Sequence, residues 1–213
     1  MIHNRDPKRM TENELHEYVA EIEGHGSQVT GVVGYFYGTY RREVIARVQN
    51  TPNRDILEVG CGEGMMFDGT EIMPIRMDVS MRRVQFARDK GHAALCGDGY
   101  HLPFASGFFS VVLMVAMLEH TSEPWRVLAE ARRVLKPGGR AIIVVPNDVT
   151  MSAGRLLLGK FPIRYPDHLT FTTPGRMHRW LENGFKVTEE FSLPFRALPF
   201  AMNLYYFMVA EAV

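Results

Sequence analysis

The chain has 213 residues, of which 46% are hydrophobic and 23% are charged. This length and composition suit one α/β domain with a sizeable core and leave little chain for a second domain. Basic and acidic residues number 24 each and give a formal net charge of zero, which disfavours a dedicated nucleic-acid-binding protein.

The first part of the chain is predicted to be helical. Residues 11–50 have a helical pattern that breaks around Gly24–Gly38. Because this segment precedes the first predicted strand, we expect it to lie over the open edge of a site as a lid or cap, without forming a domain of its own.

The middle of the chain alternates short apolar runs with amphipathic stretches, the order expected of a parallel sheet with helices on both faces. The run at 109–115 is continuously apolar, as in a strand buried on both faces. Ser80 is placed to cap the helix after the second strand. The predicted elements are strands at 55–59, 75–78, 93–96 and 109–115 and helices at 80–90 and 125–135.

The last part of the chain completes the predicted sheet. Lys136–Gly139 should end the preceding helix and turn the chain into a fifth strand at 140–145. A helix opened by proline follows at 174–183. Strands at 185–192 and 204–212 are joined by a link too short for a parallel crossover, so they should pair antiparallel. The fold class is therefore α/β, with seven mostly parallel strands.

A glycine-rich turn follows the first strand, with Gly60, Gly62 and Gly64 at alternate positions. Ligands of open parallel sheets bind beyond the carboxyl ends of the strands, where Asp78 ends the second strand and Asp98 follows the third. Three such places on consecutive strands predict one nucleoside site. The alternative is a tight turn that binds nothing, and the glycine spacing differs from that of dinucleotide folds, which disfavours a nicotinamide oxidoreductase.

With these motifs, the sequence closely resembles the class I S-adenosylmethionine-dependent methyltransferases over residues 55–146. The resemblance is to the methyltransferase type 11-like group that includes the ubiquinone and menaquinone methyltransferases. It implies a Rossmann-like sheet whose last strand is antiparallel, and S-adenosylmethionine as cofactor, with S-adenosylhomocysteine as product. The stretches that carry it are 56–64, 77–80, 97–99 with 102–104, 109–120 and 135–139.

The resemblance also implies roles for individual residues. Glu58, Gly60 and Gly62 would surround the methionine half of the cofactor, and Met117 would line the pocket near that end. Asp78 would accept hydrogen bonds from the ribose hydroxyls, with Val79 beside the adenine. Asp98 would meet the adenine amino group, with Gly99 alongside. The segment between Gly64 and Ile75 is shorter than the helix usual in the family.

The domain is accordingly divided into an N-terminal helical cap at 1–50, a cofactor-binding core at 51–146, and a substrate loop with C-terminal strands at 147–213. The loop at 147–173 is long for a connection between a strand and a helix, which suits a cover over the substrate.

On the acceptor side, His120 and His168 are candidates for a general base, which a hydroxyl acceptor would require. Alternatively, His120 braces its loop and His168 has a structural role. Tyr37 and Tyr40 are candidate substrate-binding residues, unless their aromatic rings only pack a helix.

The sequence predicts no metal site. Its two cysteines, Cys61 and Cys96, have no metal-ligand spacing, and His3, His16 and His25 are interpreted as solvated surface residues. Two cysteines are also too few for a disulfide scaffold, so a reduced, cytoplasmic protein is expected. The polar residues 1–8 and the short apolar runs predict neither a signal peptide nor a membrane span.

Together these observations predict transfer of a methyl group from S-adenosylmethionine to the oxygen, nitrogen or carbon of a small-molecule acceptor. The expected partners are that acceptor and at most a second copy of the chain, as a monomer or homodimer, with no nucleic acid. Two alternatives remain open. One is an RNA or protein methyltransferase, and the other is a non-catalytic subunit that binds S-adenosylmethionine.

Overall fold

A computed structural model describes residues 10–23, 31–157, 159, 163, 165 and 167–213. The polar N-terminal residues, His3, His25 and the first part of the predicted helix break lie outside these residues. The helices are α1 Glu12–Glu23, α2 Gly31–Val48, α3 Met81–Asp89, α4 Pro124–Val134, α5 Asp148–Leu157 and α6 Pro174–Leu181, and the strands are β1 Ile56–Val59, β2 Ile75–Asp78, β3 Ala94–Cys96, β4 Phe109–Val115, β5 Leu135–Pro146, β6 Phe185–Leu193 and β7 Tyr205–Ala212.

The seven strands form one sheet in the order β3-β2-β1-β4-β5-β7-β6. Strands β1 to β5 are parallel, and β7 runs antiparallel between β5 and β6. Val59 pairs with Met77 on one side and with Met114 on the other, so the carboxyl ends of β1, β2 and β4 meet at one edge. The predicted fold, with seven mostly parallel strands and an antiparallel last strand, is confirmed.

Strand β4 shows why its sequence is apolar throughout. Val111 and Leu113 pack on one face with α2, whereas Val112 and Met114 pack on the other face with α4 and α6. A strand covered on both faces cannot alternate apolar and polar residues without burying unpaired polar groups. The helices therefore cover both faces of the sheet.

The segment Lys136–Gly139 does not form the predicted turn. Strand β5 starts at Leu135, directly after α4, and includes these four residues. Gly138 has a left-handed φ of 73°, and the register between β4 and β5 shifts between Phe109 and Val111. The Pro-Gly-Gly sequence thus forms an irregular start of the strand, which a turn signal alone does not distinguish from a loop.

Two helical regions also differ from prediction. The break expected around Gly24–Gly38 is wrong from Gly31 onward, since α2 starts there and packs Tyr40 and Val44 against the sheet. This burial outweighs the low helix propensity of its glycines. The long connection at 147–173 contains α5, whose first turn donates backbone hydrogen bonds from Val149 and Thr150 to the Asn147 side chain.

Within the described residues, every helix is too short or too polar to cross a membrane.

Candidate functional site

The glycine turn after β1 has a backbone that side chains would not tolerate. Gly60, Gly62 and Gly64 all have positive φ, at 72°, 53° and 77°. A Cβ on Gly60 would lie 2.6 Å from Cβ of Met117, far inside van der Waals contact. The backbone N–H groups of Gly60 and Cys61 both donate to the Met77 carbonyl, at 2.8 and 3.0 Å. This turn therefore fixes β1 and β2 together while keeping its inner surface bare.

Gly60→Ala should destabilise the chain by about 3 kcal/mol, because the left-handed φ costs about 1–2 kcal/mol and the clash with Met117 adds about 1–3 kcal/mol. Gly69→Ala is the matched control, since Gly69 has a φ of 73° and open space around its Cβ position. Urea unfolding of both variants separates the cost of the left-handed φ, which both share, from the cost of the clash with Met117, which only Gly60→Ala has. Equal losses of stability would contradict the steric role of Gly60.

Asp78 closes the turn from β2. Its Oδ2 accepts from the N–H of Gly62 at 2.8 Å, and its Oδ1 accepts from the N–H of Ser80 at 3.0 Å. Each carboxylate oxygen has two lone pairs, so both retain the capacity for one further donor. The carboxylate is buried but lines the cavity at the sheet edge, which suits a ligand with two neighbouring hydroxyl groups.

Glu58 lies one residue before the end of β1 and faces Arg76 on β2 in register. Nε of Arg76 lies 3.1 Å from Oε2 of Glu58, and both side chains are almost completely buried. Burial raises the pKa of the Glu58 carboxyl to about 7, against the opposing effect of the Arg76 charge. Glu58 also lines the cavity, so this pair connects the sheet core to the site.

Helix α1 forms the outer wall. The Glu12 carboxylate accepts hydrogen bonds from the Tyr100 hydroxyl at 3.0 Å and the Ser122 hydroxyl at 2.7 Å. The Met81 N–H donates to Glu17 at 2.6 Å. These contacts attach the helix to the loops after β3 and β4 and to the start of α3. Asp98 accepts from the N–H of Tyr100 at 2.8 Å, so its loop belongs to the same network.

These elements enclose a cavity of about 300 Å³ at the carboxyl ends of β1, β2 and β4. Most of the side chains and glycines predicted from the sequence lie together in its wall; only His168 does not. The predicted residues that line it are Glu58, Gly60, Gly62, Asp78, Val79, Asp98, Gly99, Met117, Tyr37, Tyr40 and His120.

Tyr37 and Tyr40 enter the cavity wall from α2. Their rings lie 5.2 Å apart and nearly perpendicular, and Tyr40 makes a similar contact with Tyr205 at 4.8 Å. Burial raises the pKa of both hydroxyl groups above the usual range, so they are neutral at physiological pH. The pair therefore packs the helix and also presents an aromatic surface to the cavity.

His120 follows β4 in a short 3-10 turn, Leu118–His120. Its Nδ1 lies 3.1 Å from Oδ2 of Asp167. Burial opposes protonation of His120, but the hydrogen bond with Asp167 and the charge of Glu119 raise its pKa to about 9. Burial likewise opposes the charge of Asp167, whereas the hydrogen bond with His120 lowers its pKa to about 2.

His168 lies behind His120, with its ring centroid 4.9 Å away and perpendicular. Its Nδ1 contacts Oδ1 of Asp148 at 2.5 Å. Glu119, next to His120, is almost completely buried, and this burial raises its carboxyl pKa. The structure thus groups the two predicted histidines with Glu119, Asp148 and Asp167, acidic side chains that the sequence did not predict. Of this group, His120 and Asp167 line the cavity.

Sequence reasoning missed several lining residues. His16, interpreted as a solvated surface residue, lines the cavity from α1, and burial together with His120 lowers its pKa. Glu12 and Asp167 line it as well. The helical pattern around His16 was visible in the sequence, but the packing of that helix on the site was not.

Comparison with known proteins agrees with this geometry. Residues 57–143 match the methyltransferase domain family. This stretch of the chain therefore carries a methyltransferase domain. Over 149 residues it is 28% identical to the demethylmenaquinone methyltransferase of Renibacterium salmoninarum, covering 68% of the chain and 60% of that protein. The family predicted from the sequence is therefore confirmed.

Two further similarities show the breadth of this family. The chain is 32% identical over 108 residues to a tRNA (carboxymethyluridine(34)-5-O)-methyltransferase of Arabidopsis thaliana, covering 48% of the chain and 27% of that protein. It shares the fold of magnesium protoporphyrin IX methyltransferase from Synechocystis, which was solved with bound S-adenosylhomocysteine. That structure aligns with a TM-score of 0.63 and 18% identity, over 92% of the chain and 93% of the structure. The matched segments span less than two thirds of both curated relatives.

Proposed function

We propose that the chain binds S-adenosylmethionine and transfers its methyl group to a small-molecule acceptor. The observation that carries the proposal is the convergence of the glycine turn, Asp78 and Asp98 on one cavity. Asp78 would accept both ribose hydroxyls, and Val79 would lie beside the adenine. Asp98 and Gly99 would hold the adenine amino side, while Glu58, Gly60, Gly62 and Met117 would surround the methionine half.

The charge of the cavity supports a cationic donor. Carboxylates in its wall include those of Glu12, Glu58, Asp78 and Asp98. Arg83 is the only arginine or lysine among the described residues that line it. S-adenosylmethionine supplies an electrophilic methyl group on a positively charged sulfonium. The chain must hold donor and acceptor in line and exclude water, and orientation of this kind is worth roughly 7–11 kcal/mol. Helix α1 and the tyrosines of α2 would provide that enclosure.

Demethylmenaquinone methyltransferase acts, by its name, on a quinone precursor, and the aromatic wall from Tyr37 and Tyr40 would suit a flat, apolar acceptor of that kind. His120 is the sequence candidate for a general base that lines the cavity. His168 lies outside the lining and would act through His120.

A thermal-shift measurement tests the cofactor. S-adenosylmethionine and S-adenosylhomocysteine should both raise the melting temperature, because each binds only the folded state, whereas NAD should leave it unchanged. Turnover of candidate acceptors by the isolated chain, followed by release of S-adenosylhomocysteine, then separates an enzyme from a non-catalytic subunit. Absence of any shift with both adenosyl ligands would overturn the proposal.

A tRNA methyltransferase among the relatives keeps RNA as a second candidate acceptor. Its test is salt dependence, since phosphate contacts weaken steeply as salt rises. Binding of tRNA that falls by orders of magnitude between about 50 and 200 mM salt, with methylation of the bound tRNA, would favour RNA over a small molecule.

A further inference from the structure

Three side chains at the cavity wall and directly behind it form a group with the composition of a metal site. One ligand atom each from Glu119, His120 and His168 lies within 4.8 Å of the other two. Ligand atoms held by one ion at about 2.0–2.2 Å lie within about 4.4 Å of each other. In a tetrahedral site these bond lengths place the ligand atoms about 3.3–3.6 Å apart, so the group must contract by up to about 1.5 Å to surround an ion.

Both histidines are oriented as metal ligands usually are. Nδ1 of His120 contacts the Asp167 carboxylate at 3.1 Å, and Nδ1 of His168 contacts the Asp148 carboxylate at 2.5 Å. A histidine that binds a metal generally donates its other ring N–H to a carboxylate or carbonyl, which fixes the ring and raises the basicity of the ligand nitrogen. We therefore assign Nε2 of each ring to the ion. Nε2 of His120 lies 3.9 Å from Oε1 of Glu119, too long for a hydrogen bond.

The third side chain carries an independent indication. Glu119 is 1% exposed, and its Oε2 is fully buried without a hydrogen-bond partner. A buried carboxylate oxygen without a partner is costly, and buried charges are normally paired or coordinate a metal. A cation between Glu119 and the two imidazoles would satisfy this oxygen.

We propose that Glu119, His120 and His168 bind a divalent first-row transition metal ion, with Zn²⁺ the closest match. Two imidazole nitrogens and one glutamate form a known catalytic zinc set, whereas Mg²⁺ and Ca²⁺ prefer ligand sets made of oxygen. Asp167 and Asp148 support the ligands from outside the coordination sphere.

The position of the proposed metal site would let its ion contact the methyl acceptor. His120 also lines the cavity proposed to bind S-adenosylmethionine, so the ion would lie at the wall of that cavity. An ion with three protein ligands retains a position for water or an acceptor oxygen, and it lowers the pKa of a bound hydroxyl. His120 would then be a metal ligand, and deprotonation of the acceptor hydroxyl would not need a histidine as general base. This consequence rests on the proposed methyl transfer, whereas the metal site itself does not.

The test is a titration of the chelator-treated, full-length chain with Zn²⁺ alone, in competition with a chromophoric chelator. We expect saturable binding of one ion per chain. Glu119→Gln and His168→Ala should each weaken it by at least about 100-fold, and Asp148→Asn, which removes only a supporting carboxylate, by about 10–100-fold. Co²⁺ should give a visible d–d absorption band in the wild type that Glu119→Gln loses.

His178→Ala is the matched control, because His178 forms another histidine–carboxylate pair, with Glu190 at 2.7 Å. Among the residues that the structure describes, no third possible metal ligand joins this pair. The affinity of this variant for zinc should match the wild type within about twofold, since the substitution changes neither a ligand nor a carboxylate that supports one. Urea unfolding checks that each variant is folded. Absence of saturable binding, or equal affinity in Glu119→Gln, His168→Ala and His178→Ala, would overturn the metal site. Because the titration contains no adenosyl ligand, its failure is separate from failure of the proposed cofactor.

Discussion

Asp78→Ala should weaken binding of S-adenosylmethionine and S-adenosylhomocysteine by about 100-fold. The carboxylate of Asp78 has one remaining acceptor site on each oxygen, and a hydrogen bond to a charged group contributes about 1.5–3 kcal/mol. Loss of two such bonds to the ribose therefore exceeds about 3 kcal/mol, or two factors of ten in affinity. Calorimetric titration with S-adenosylhomocysteine measures this change directly. Asp89→Ala, at an exposed position of helix α3, is the matched control and should bind normally.

Asp78 also has a structural role, because it accepts from the N–H groups of Gly62 and Ser80. A ligand that lacks one ribose hydroxyl separates the two roles. The wild type should discriminate against a 2′-deoxyadenosyl analogue, whereas Asp78→Ala should bind both ligands with similar, weak affinity. Unchanged discrimination in the variant would show that the ribose is held elsewhere, even if the variant is less stable.

The parts of the site that the sequence predicted follow from short-range rules. The positions of Gly60, Asp78 and Asp98 could be placed because parallel strands end at a common edge of the sheet. Strand β4 was predicted with the bounds that the structure has, since a strand buried on both faces needs an uninterrupted apolar run. Such features depend on neighbours a few residues away and on the handedness of the crossovers, which the sequence order already determines.

The missed parts depend on contacts between distant segments. His120 and Asp167 are 47 residues apart, and Glu12 meets Ser122 across 110 residues. No local periodicity encodes either contact. Whether His16 faces solvent or the cavity depends on where α1 docks, and docking is decided by the summed packing of the whole helix. The same limitation hid the group around Glu119, because the turn Leu118–His120 meets the distant His168 only in the folded chain.

Arg76→Met should lower the free energy of unfolding by about 3–5 kcal/mol, the cost of removing one partner of a buried ion pair. Arg76 has no solvent exposure, and its partner Glu58 is almost as buried. The variant leaves the almost completely buried Glu58 carboxylate without its opposing charge. Urea unfolding followed by far-UV circular dichroism gives the change in free energy. Arg126→Met is the control, because the Arg126–Glu123 pair lies at the surface and its loss should hardly change stability.

The double variant Glu58→Leu/Arg76→Met decides what the pair contributes. Replacing both charges with apolar side chains of similar size is often neutral or stabilising, so the double variant should recover most of the stability that Arg76→Met loses. Glu58 also lines the cavity, and its carboxylate would face the methionine half of the donor. We therefore expect the double variant to be stable yet to bind S-adenosylmethionine more weakly than the wild type. A double variant that is as unstable as Arg76→Met would mean that the loss comes from packing of the Arg76 side chain, not from an unpaired carboxylate.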